Sequence, residues 1–143
     1  MVFSNDNYYL MCYHDNHDGI ANYRIDRMVD VLLEDEIINM EKYPQVVNLS
    51  DYRKQAFYMF GGEPIKVTFE LDSDLIDVVF DKFGENIKVT DLGNNIIQFI
   101  AEIQISNMFY GWCCSFGEKL KITASDEIKE QFAVYLQTLS RQY

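Results

Sequence analysis

The sequence lacks the features that mark secreted and membrane proteins. Its start, MVFSNDNYYLMCY, has no basic segment and no apolar run long enough for a signal peptide. No other stretch approaches the roughly 20 apolar residues that a membrane-spanning helix needs. We therefore expect a cytoplasmic protein that does not enter the membrane.

Cysteines are too few and too poorly spaced for a disulfide framework. The chain has three, Cys12 and the adjacent Cys113 and Cys114. An odd number cannot pair completely within one chain, and adjacent cysteines bridge each other only with strain. We expect reduced thiols, and Cys113 and Cys114 beside Trp112 are interpreted as small hydrophobic residues of a helix.

Basic residues are also scarce. Twelve Lys and Arg stand against 23 Asp and Glu, so the net charge is -11. A field of this sign repels the phosphate backbone of nucleic acids. Binding of nucleic acid would need a local basic cluster, and the candidates for one are Arg24, Arg27, Arg53 and Lys54.

Motifs that carry catalysis or hold cofactors are missing as well. The chain has no nucleophile elbow, phosphate-binding loop, HExxH or CxxC pair. His14 and His17 in HDNHD could suggest a metal. However, no third or fourth ligand follows at metal spacing, so a solvated loop is the favoured interpretation. We predict a protein that is not an enzyme and has no cofactor or metal.

The N-terminal part has the residue pattern of a β-sheet. Residues 8–13 and 20–28 predict a hairpin, and residues 29–33 predict a further strand. Alternation leaves apolar side chains on both faces of the first strand, which indicates that more sheet surrounds it. We assign residues 1–43 to this incomplete β unit.

Residues 44–62 are interpreted as a linker with a short helix. Ser50 is the expected N-cap, residues 51–60 the helix, and Gly61-Gly62 its end.

The C-terminal part contains a duplicated unit. FGENIKV at residues 83–89 returns as FGEKLKI at residues 116–122. Each copy predicts a strand, a helix ended by a glycine (Gly84 or Gly117) and a second strand, with a turn at residues 93–95 between the copies. Two such βαβ units in tandem predict a ferredoxin-like split βαβ sandwich over residues 63–143, and hence an α+β chain.

The last element is a predicted amphipathic helix that begins at Ser125. Its apolar stripe indicates that it docks on an apolar surface. Docking on the sheet of its own chain is the favoured interpretation, and exchange between two chains of a dimer is the alternative.

Taken in order, these segments resemble the WYL family of bacterial transcription regulators and the extension that follows its WYL domain. Tyr8-Tyr9-Leu10 stands where the family has Trp-Tyr-Leu, and residues 23–28, YRIDRM, match its aromatic-Arg-x-Asp-Arg strand. Residues 52–62 resemble the family's linker helix. The landmarks that resemble its C-terminal extension are residues 65–71, Phe83-Gly84, Trp112 through Phe116-Gly117, and Tyr143.

The resemblance implies a partial Sm-like or SH3-like barrel, truncated at its N-terminus, followed by a ferredoxin-like domain with a C-terminal helix. It also implies that the winged helix-turn-helix of the family is missing, so that DNA would be bound only through that absent domain. The expected function is that of a ligand-sensing module in a bacterial transcription regulator. A dimerisation module without a ligand is the alternative, and a homodimer is expected.

The predicted ligand site consists of Arg24 and Arg27, with Tyr9 and Tyr23 as contributors. Guanidinium groups suit carboxylate and phosphate, so the partner would be a small anionic effector or nucleotide. Single-stranded nucleic acid is the other ligand class, because bases could stack on Tyr8, Tyr9, Tyr13 and Tyr23, although core packing is the favoured interpretation for any one of these rings. Ion pairing with Asp26 or Asp30 is the structural alternative for the arginines. Strand alternation places Arg24 and Arg27 on opposite faces, so they converge only if the strand bends.

Overall fold

Two antiparallel sheets organise the chain. The computed structural model describes residues 1–4, 6–14, 17–35, 37, 49–57 and 64–143. Over these residues the fold is α+β, with one sheet of three strands and one of four. Within the same residues, no helix is long and apolar enough to cross a membrane.

The first sheet is an open meander of β1 (Val2–Ser4), β2 (Asn7–His14) and β3 (His17–Arg24), in that order. The predicted hairpin is confirmed, with Tyr9 paired to Arg24 and Tyr13 to Ile20. The polar stretch HDNHDG was interpreted as a loop, but His14 and His17 are register partners at the ends of the two strands. The described strands do not close into a barrel.

Two strand predictions that follow β3 are wrong. Residues 25–27, assigned to a strand, form a 3-10 helix (Ile25–Arg27) in which the amide of Met28 donates to the carbonyl of Ile25. Residues 29–33, predicted as a further strand, are irregular, and Leu33 is 97% exposed. The φ of Asp30, +55°, interrupts an extended backbone there. High β-propensity therefore did not produce a strand where no neighbouring strand pairs with it.

Helix α1 (Leu49–Gln55) is shorter than predicted and starts earlier. Ser50 lies inside the helix and is not its N-cap. The predicted continuation of the helix to residue 60 is wrong at Ala56 and Phe57, which follow the last helical residue and are buried in two different clusters. Gly61 and Gly62 lie outside the described residues.

The second sheet is built in the predicted order of elements. Its elements are β4 (Pro64–Asp72), α2 (Ile76–Phe83), β5 (Val89–Gly93), β6 (Ile96–Gln104), α3 (Asn107–Cys114), β7 (Leu120–Ala124) and α4 (Asp126–Ser140). The strands lie in the order β5-β6-β4-β7. Asn94 and Asn95, both with positive φ, form the tight turn between β5 and β6.

Helices α2 and α3 cover one face of this sheet. Phe69 of β4 stacks on Phe99 of β6 with ring centroids 4.8 Å apart, and both rings are buried. Val79 of α2 and Phe109 of α3 are fully buried against them. Because these side chains alternate along the strands, the opposite face carries the polar residues.

The two repeated glycines have different roles. Gly84 has a φ of +84° and caps α2, and its amide donates to the carbonyl of Phe80. Gly117 was predicted to end α3, but α3 ends at Cys114, and Gly117 opens a 3-10 helix (Gly117–Lys119) with a φ of +57°. The sequence repeat therefore does not give two equivalent helix ends.

Helix α4 docks on its own chain, as favoured from the sequence. Its Ile128 is buried in the main core. Tyr110 of α3 packs between Phe132 and Tyr135 of α4, with ring centroids 5.3 Å and 5.1 Å away.

Candidate ligand-binding surface around Arg24

Arg24 ends β3 and lies directly opposite Tyr9 of β2, on the same face of the first sheet. Tyr9 is half-buried and packs on a small cluster of three buried residues, Val2, Tyr52 and Ala56. The ring of Tyr9 therefore belongs mainly to the contact between the first sheet and α1.

The guanidinium of Arg24 is held by Asp26 through two hydrogen bonds. Nε donates to Oδ1 at 3.0 Å and Nη2 donates to Oδ2 at 2.7 Å. These bonds raise the pKa of Arg24 and lower the pKa of Asp26. The 3-10 turn after β3 brings Asp26 back to this position. An anionic ligand at Arg24 would have to displace Asp26 or share the guanidinium with it.

Arg27 lies at the end of the same turn and is exposed. The pKa of Asp26 is lowered mainly by the hydrogen bonds from Arg24, and the charge of Arg27 lowers it further by a small amount. The chain bends at this 3-10 turn, whereas a regular strand would place Arg24 and Arg27 on opposite faces. The end of β3 and the turn that follows it thus carry two positive charges, Arg24 and Arg27, and the negative charge of Asp26.

Tyr23 lies on the opposite face of the sheet, across from Leu10. That face exposes apolar and aromatic side chains, which we call the aromatic face: Phe3 (50% exposed), Tyr8 (58%), Leu10 (39%) and Tyr23 (40%). The rings of Phe3 and Tyr8 pack with centroids 5.0 Å apart. The four tyrosines considered as a stacking platform are therefore divided, with Tyr9 and Tyr13 on one face and Tyr8 and Tyr23 on the other.

Helix α1 contacts both sheets. The sequence predicts only that it is part of a linker. Asn22 of β3 donates from Nδ2 to the hydroxyl of Tyr52 at 2.6 Å. From the last residue of the helix, Gln55 donates from Nε2 to Oε2 of Glu102 in the second sheet at 3.0 Å. The signal that could have revealed this role is the spacing of Tyr52 and Ala56, which places them on one helix face.

Phe57 continues this connection into the second unit. Its ring packs against Phe109 and Trp112, with centroids 5.4 Å and 5.3 Å away. Lys82 of α2 lies over the same ring at 4.0 Å and donates to the carbonyl of Ala56 at 2.7 Å. The segment after α1 is thus anchored in the main core.

The two adjacent cysteines are poor candidates for chemistry. Cys113 is buried, and burial raises the pKa of its thiol far above the ordinary range. Cys114 is exposed, yet its pKa is also raised by partial burial of its thiol. A raised pKa keeps a thiol neutral and weakens it as a nucleophile. The packing role predicted for Cys113 agrees with its place in the core.

The structure describes the backbone of His14 and His17 but not their side chains. In the part of the chain that is described, no three His, Cys, Asp or Glu residues are grouped so as to hold a metal ion.

Comparison with known proteins adds no relative from which a role could be carried over. No protein-family model matches the chain, and no curated protein matches it. The function of the chain is therefore inferred from its own residues and geometry.

Proposed function

We propose that the chain is the effector-sensing part of a WYL-type bacterial transcription regulator in the cytoplasm, with the DNA-binding helix-turn-helix outside these residues. The first sheet would be part of an Sm-like or SH3-like barrel, and residues 64–143 would be a ferredoxin-like extension. The β-α-β-β-α-β order of the second unit supports the latter, because that order defines the split βαβ fold.

The observation that carries the proposal is that α1 contacts both sheets. Tyr52 accepts a hydrogen bond from the first sheet, and Gln55 donates one to the second. A ligand that changes the first sheet would therefore move a helix that also contacts the second unit. Regulation of this kind requires only that the ligand bind one arrangement of the two units more tightly than the other.

The proposed ligand is a small anion or a nucleotide, bound by Arg24 with Arg27 and Tyr9. A guanidinium binds carboxylate and phosphate through two parallel hydrogen bonds, and Arg24 already makes this geometry with Asp26. The ligand would take the place of Asp26. A net charge of -11 favours a small anion over single-stranded nucleic acid. Tyr23 lies on the other face, so the proposed site uses the remaining three residues.

Native mass spectrometry of the chain purified from bacterial cells tests this proposal, since a bound anion would appear as an added mass. Calorimetry with that anion, and with AMP as a nucleotide probe, then measures affinity in Arg24→Ala and Arg27→Ala. If both variants bind as tightly as the parent, the arginines are structural and the proposal fails.

The second candidate function is a dimerisation module, and the aromatic face favours it. The four residues of this face are uncharged, so two copies of a chain with net charge -11 could meet there without bringing acids together. Exposed patches of this kind often mark protein interfaces. The outer edge of β3 could also pair with a strand of another chain.

Analytical ultracentrifugation separates the two functions. A dimer that Leu10→Glu dissociates, while AMP and co-purified anions leave the equilibrium unchanged, would support assembly alone. Ile100→Glu is the matched control, because Ile100 is 57% exposed but lies among polar residues on the second sheet. A chain that is monomeric at millimolar concentration would rule out the dimerisation function.

A further inference from the structure

A cavity of about 290 Å³ lies between α1 and the second unit. It exists because β5 is shorter than β6. The pairing of β5 with β6 ends at Val89 and Phe99, whereas β6 runs on to Gln104. Helix α1 lies along the stretch of β6 that β5 leaves open. A helix is a cylinder about 10 Å wide and cannot follow a strand edge as closely as another strand does, so a gap remains.

The inner wall of the cavity is apolar. Phe83 at the end of α2 and Ala101 of β6 are buried, and Ile87 is half-buried. These three side chains would contact the carbon skeleton of a ligand. A volume of about 290 Å³ lies near the lower end of the range of small-molecule sites, which suits a small metabolite.

The rim carries charges of both signs. Lys54 and Asp51 of α1 and Glu102 of β6 line it, together with the amides of Gln55 and Asn86. The ammonium of Lys54 lies 4.0 Å from a carboxylate oxygen of Asp51, and both side chains are partly exposed, so this ion pair is weak.

The stem of Lys54 passes over Gly84. A Cβ at Gly84 would lie 3.3 Å from Cε of Lys54, closer than ordinary van der Waals contact. Gly84, at the end of α2, therefore leaves room for the stem of Lys54, and the ammonium of Lys54 lies at the rim of the cavity. Glu102 is positioned from the other side by the hydrogen bond that it accepts from Gln55.

We propose that this cavity binds a small zwitterion of the amino-acid class with an aliphatic side chain. The carboxylate of the ligand would meet Lys54, its ammonium would meet Glu102, and its side chain would lie on Phe83, Ile87 and Ala101. Two carboxylates against one ammonium make the rim net negative, so phosphate and nucleotides are disfavoured. This site is distinct from the Arg24 surface, because its lining residues lie on α1 and in the second unit and none belongs to the first sheet.

L-leucine and its two halves test the proposal directly. 3-Methylbutylamine lacks the carboxylate of leucine, and 4-methylpentanoate lacks the ammonium. We expect L-leucine to bind with about millimolar affinity, as suits a ligand of this size, and each half to bind at least about 10-fold more weakly. Inorganic phosphate should not compete. Calorimetry measures the affinities. Trp112, the only tryptophan, supplies an optical signal because its ring meets that of Phe83 with centroids 5.9 Å apart.

Two variants assign the charges. Lys54→Met keeps a long stem over Gly84 and removes the ammonium, so it should weaken L-leucine about 10-fold while leaving 3-methylbutylamine unchanged. Glu102→Gln should weaken L-leucine to a similar extent while leaving 4-methylpentanoate unchanged. Lys119→Met, in the exposed 3-10 turn, is the control and should bind like the parent.

The expected Kd of L-leucine is ~1 mM, so a concentration of about 50 mM is far above it. The proposal is overturned if L-leucine does not bind at that concentration, or if it binds no more tightly than its halves. It is equally overturned if phosphate binds more tightly than leucine, or if Lys54→Met binds leucine like the parent while its circular dichroism is unchanged. Arg24→Ala should leave leucine binding intact, so this result is separable from the outcome at the Arg24 surface.

Discussion

The two sheets differ in what they leave exposed. The second sheet buries one face under α2 and α3 and exposes a polar one, on which Gln98 donates to Glu70 at 3.4 Å and Glu70 is paired in register with Lys121. The first sheet packs one face on α1 and exposes the aromatic face on the other side. An antiparallel sheet with an apolar core side and a polar solvent side is complete by itself. The first sheet does not meet that condition.

The second unit also has the larger buried core. Among the residues that the structure describes, sixteen buried ones form the core of the second unit, whereas three form the small cluster beside the first sheet. Local stability follows the amount of buried apolar contact, so the first sheet should open more readily than the second. Its attachment through α1 is therefore the main restraint on its position among the described residues.

The largest expected effect is in the main core. Phe69→Ala removes a ring that is buried between Phe99, Phe109 and Trp112, and should destabilise the chain by about 3–5 kcal/mol. Urea unfolding followed by circular dichroism measures the change. Phe3→Ala, on the aromatic face, is the matched control and should cost much less. Equal losses of unfolding free energy in the two variants would contradict the difference in burial between the two sheets.

At the Arg24 surface, Arg24→Ala should weaken binding of the co-purified anion by about 1.5–3 kcal/mol, or roughly 10-fold to 150-fold. Arg24→Lys keeps the charge but loses the planar two-point contact, so it should restore only part of the affinity. Calorimetry measures both. Lys129→Ala is the control, because Lys129 is exposed and pairs only with Asp126 in the described structure. An unchanged affinity in Arg24→Ala would exclude this site.

Gly84 and Gly117, the two repeated glycines, both have positive φ and provide a finer comparison. Gly84→Val should destabilise the second unit by at least about 1 kcal/mol, because a β-branched residue is strained at a φ of +84° and its Cβ would crowd Lys54. Gly117→Val meets the same strain but nothing within 4 Å, so it should cost less. Thermal unfolding of both variants gives the order, and a larger loss at Gly117 would contradict it.

The contact between Tyr52 and Asn22 should contribute about 0.5–1.5 kcal/mol to holding the first sheet. Tyr52→Phe removes only the hydroxyl. We expect faster amide hydrogen exchange in β2 and β3 and no change in β4 and β6. Tyr110→Phe, which removes the hydrogen bond to Gln131, is the counterpart in the second unit and should leave the first sheet unaffected. If Tyr52→Phe leaves exchange in β2 and β3 unchanged, the hydroxyl contact does not restrain the sheet.

The smallest effect concerns pH. The pKa of Asp26 is lowered by hydrogen bonds from Arg24, and that of Asp126 by Lys129. A lowered pKa in the folded chain contributes stability above the unfolded pKa, and this contribution is lost as the pH falls through the lowered value. The side chains of Asp26 and Asp126 are 57% and 89% exposed, so Asp26→Asn should hardly change stability at neutral pH. Carboxyl NMR titration should find both below the ordinary Asp pKa, and an ordinary value at Asp26 would contradict its pairing with Arg24.

The second unit could be predicted well because its signals are local. Ser106 caps α3 by accepting from the amide of Phe109, Gly84 caps α2, and Asn94-Asn95 makes the turn between β5 and β6. Each of these depends on only a few neighbouring residues. The apolar alternation of β4 and β6 then fixes which face meets the helices.

The candidate sites were harder to predict because they depend on distant contacts. The position of Asp26 against Arg24 requires a 3-10 turn, whereas residues 25–27 have the β-propensity of a strand. The cavity beside Lys54 requires β5 to end before β6, which neither strand reveals alone. The contact of α1 with both sheets depends on Ala56 and Phe57 entering different clusters.

Hydrogen exchange in Phe57→Ala tests most directly the claim that α1 couples the two sheets. Phe57 lies in the core of the second unit and does not belong to the small cluster, so its loss acts on the first sheet only by loosening α1. We predict faster exchange in α1, β2 and β3, with β4 and β6 still protected. Exchange that rises only around Phe57 and stays unchanged in β2 and β3 would contradict the coupling.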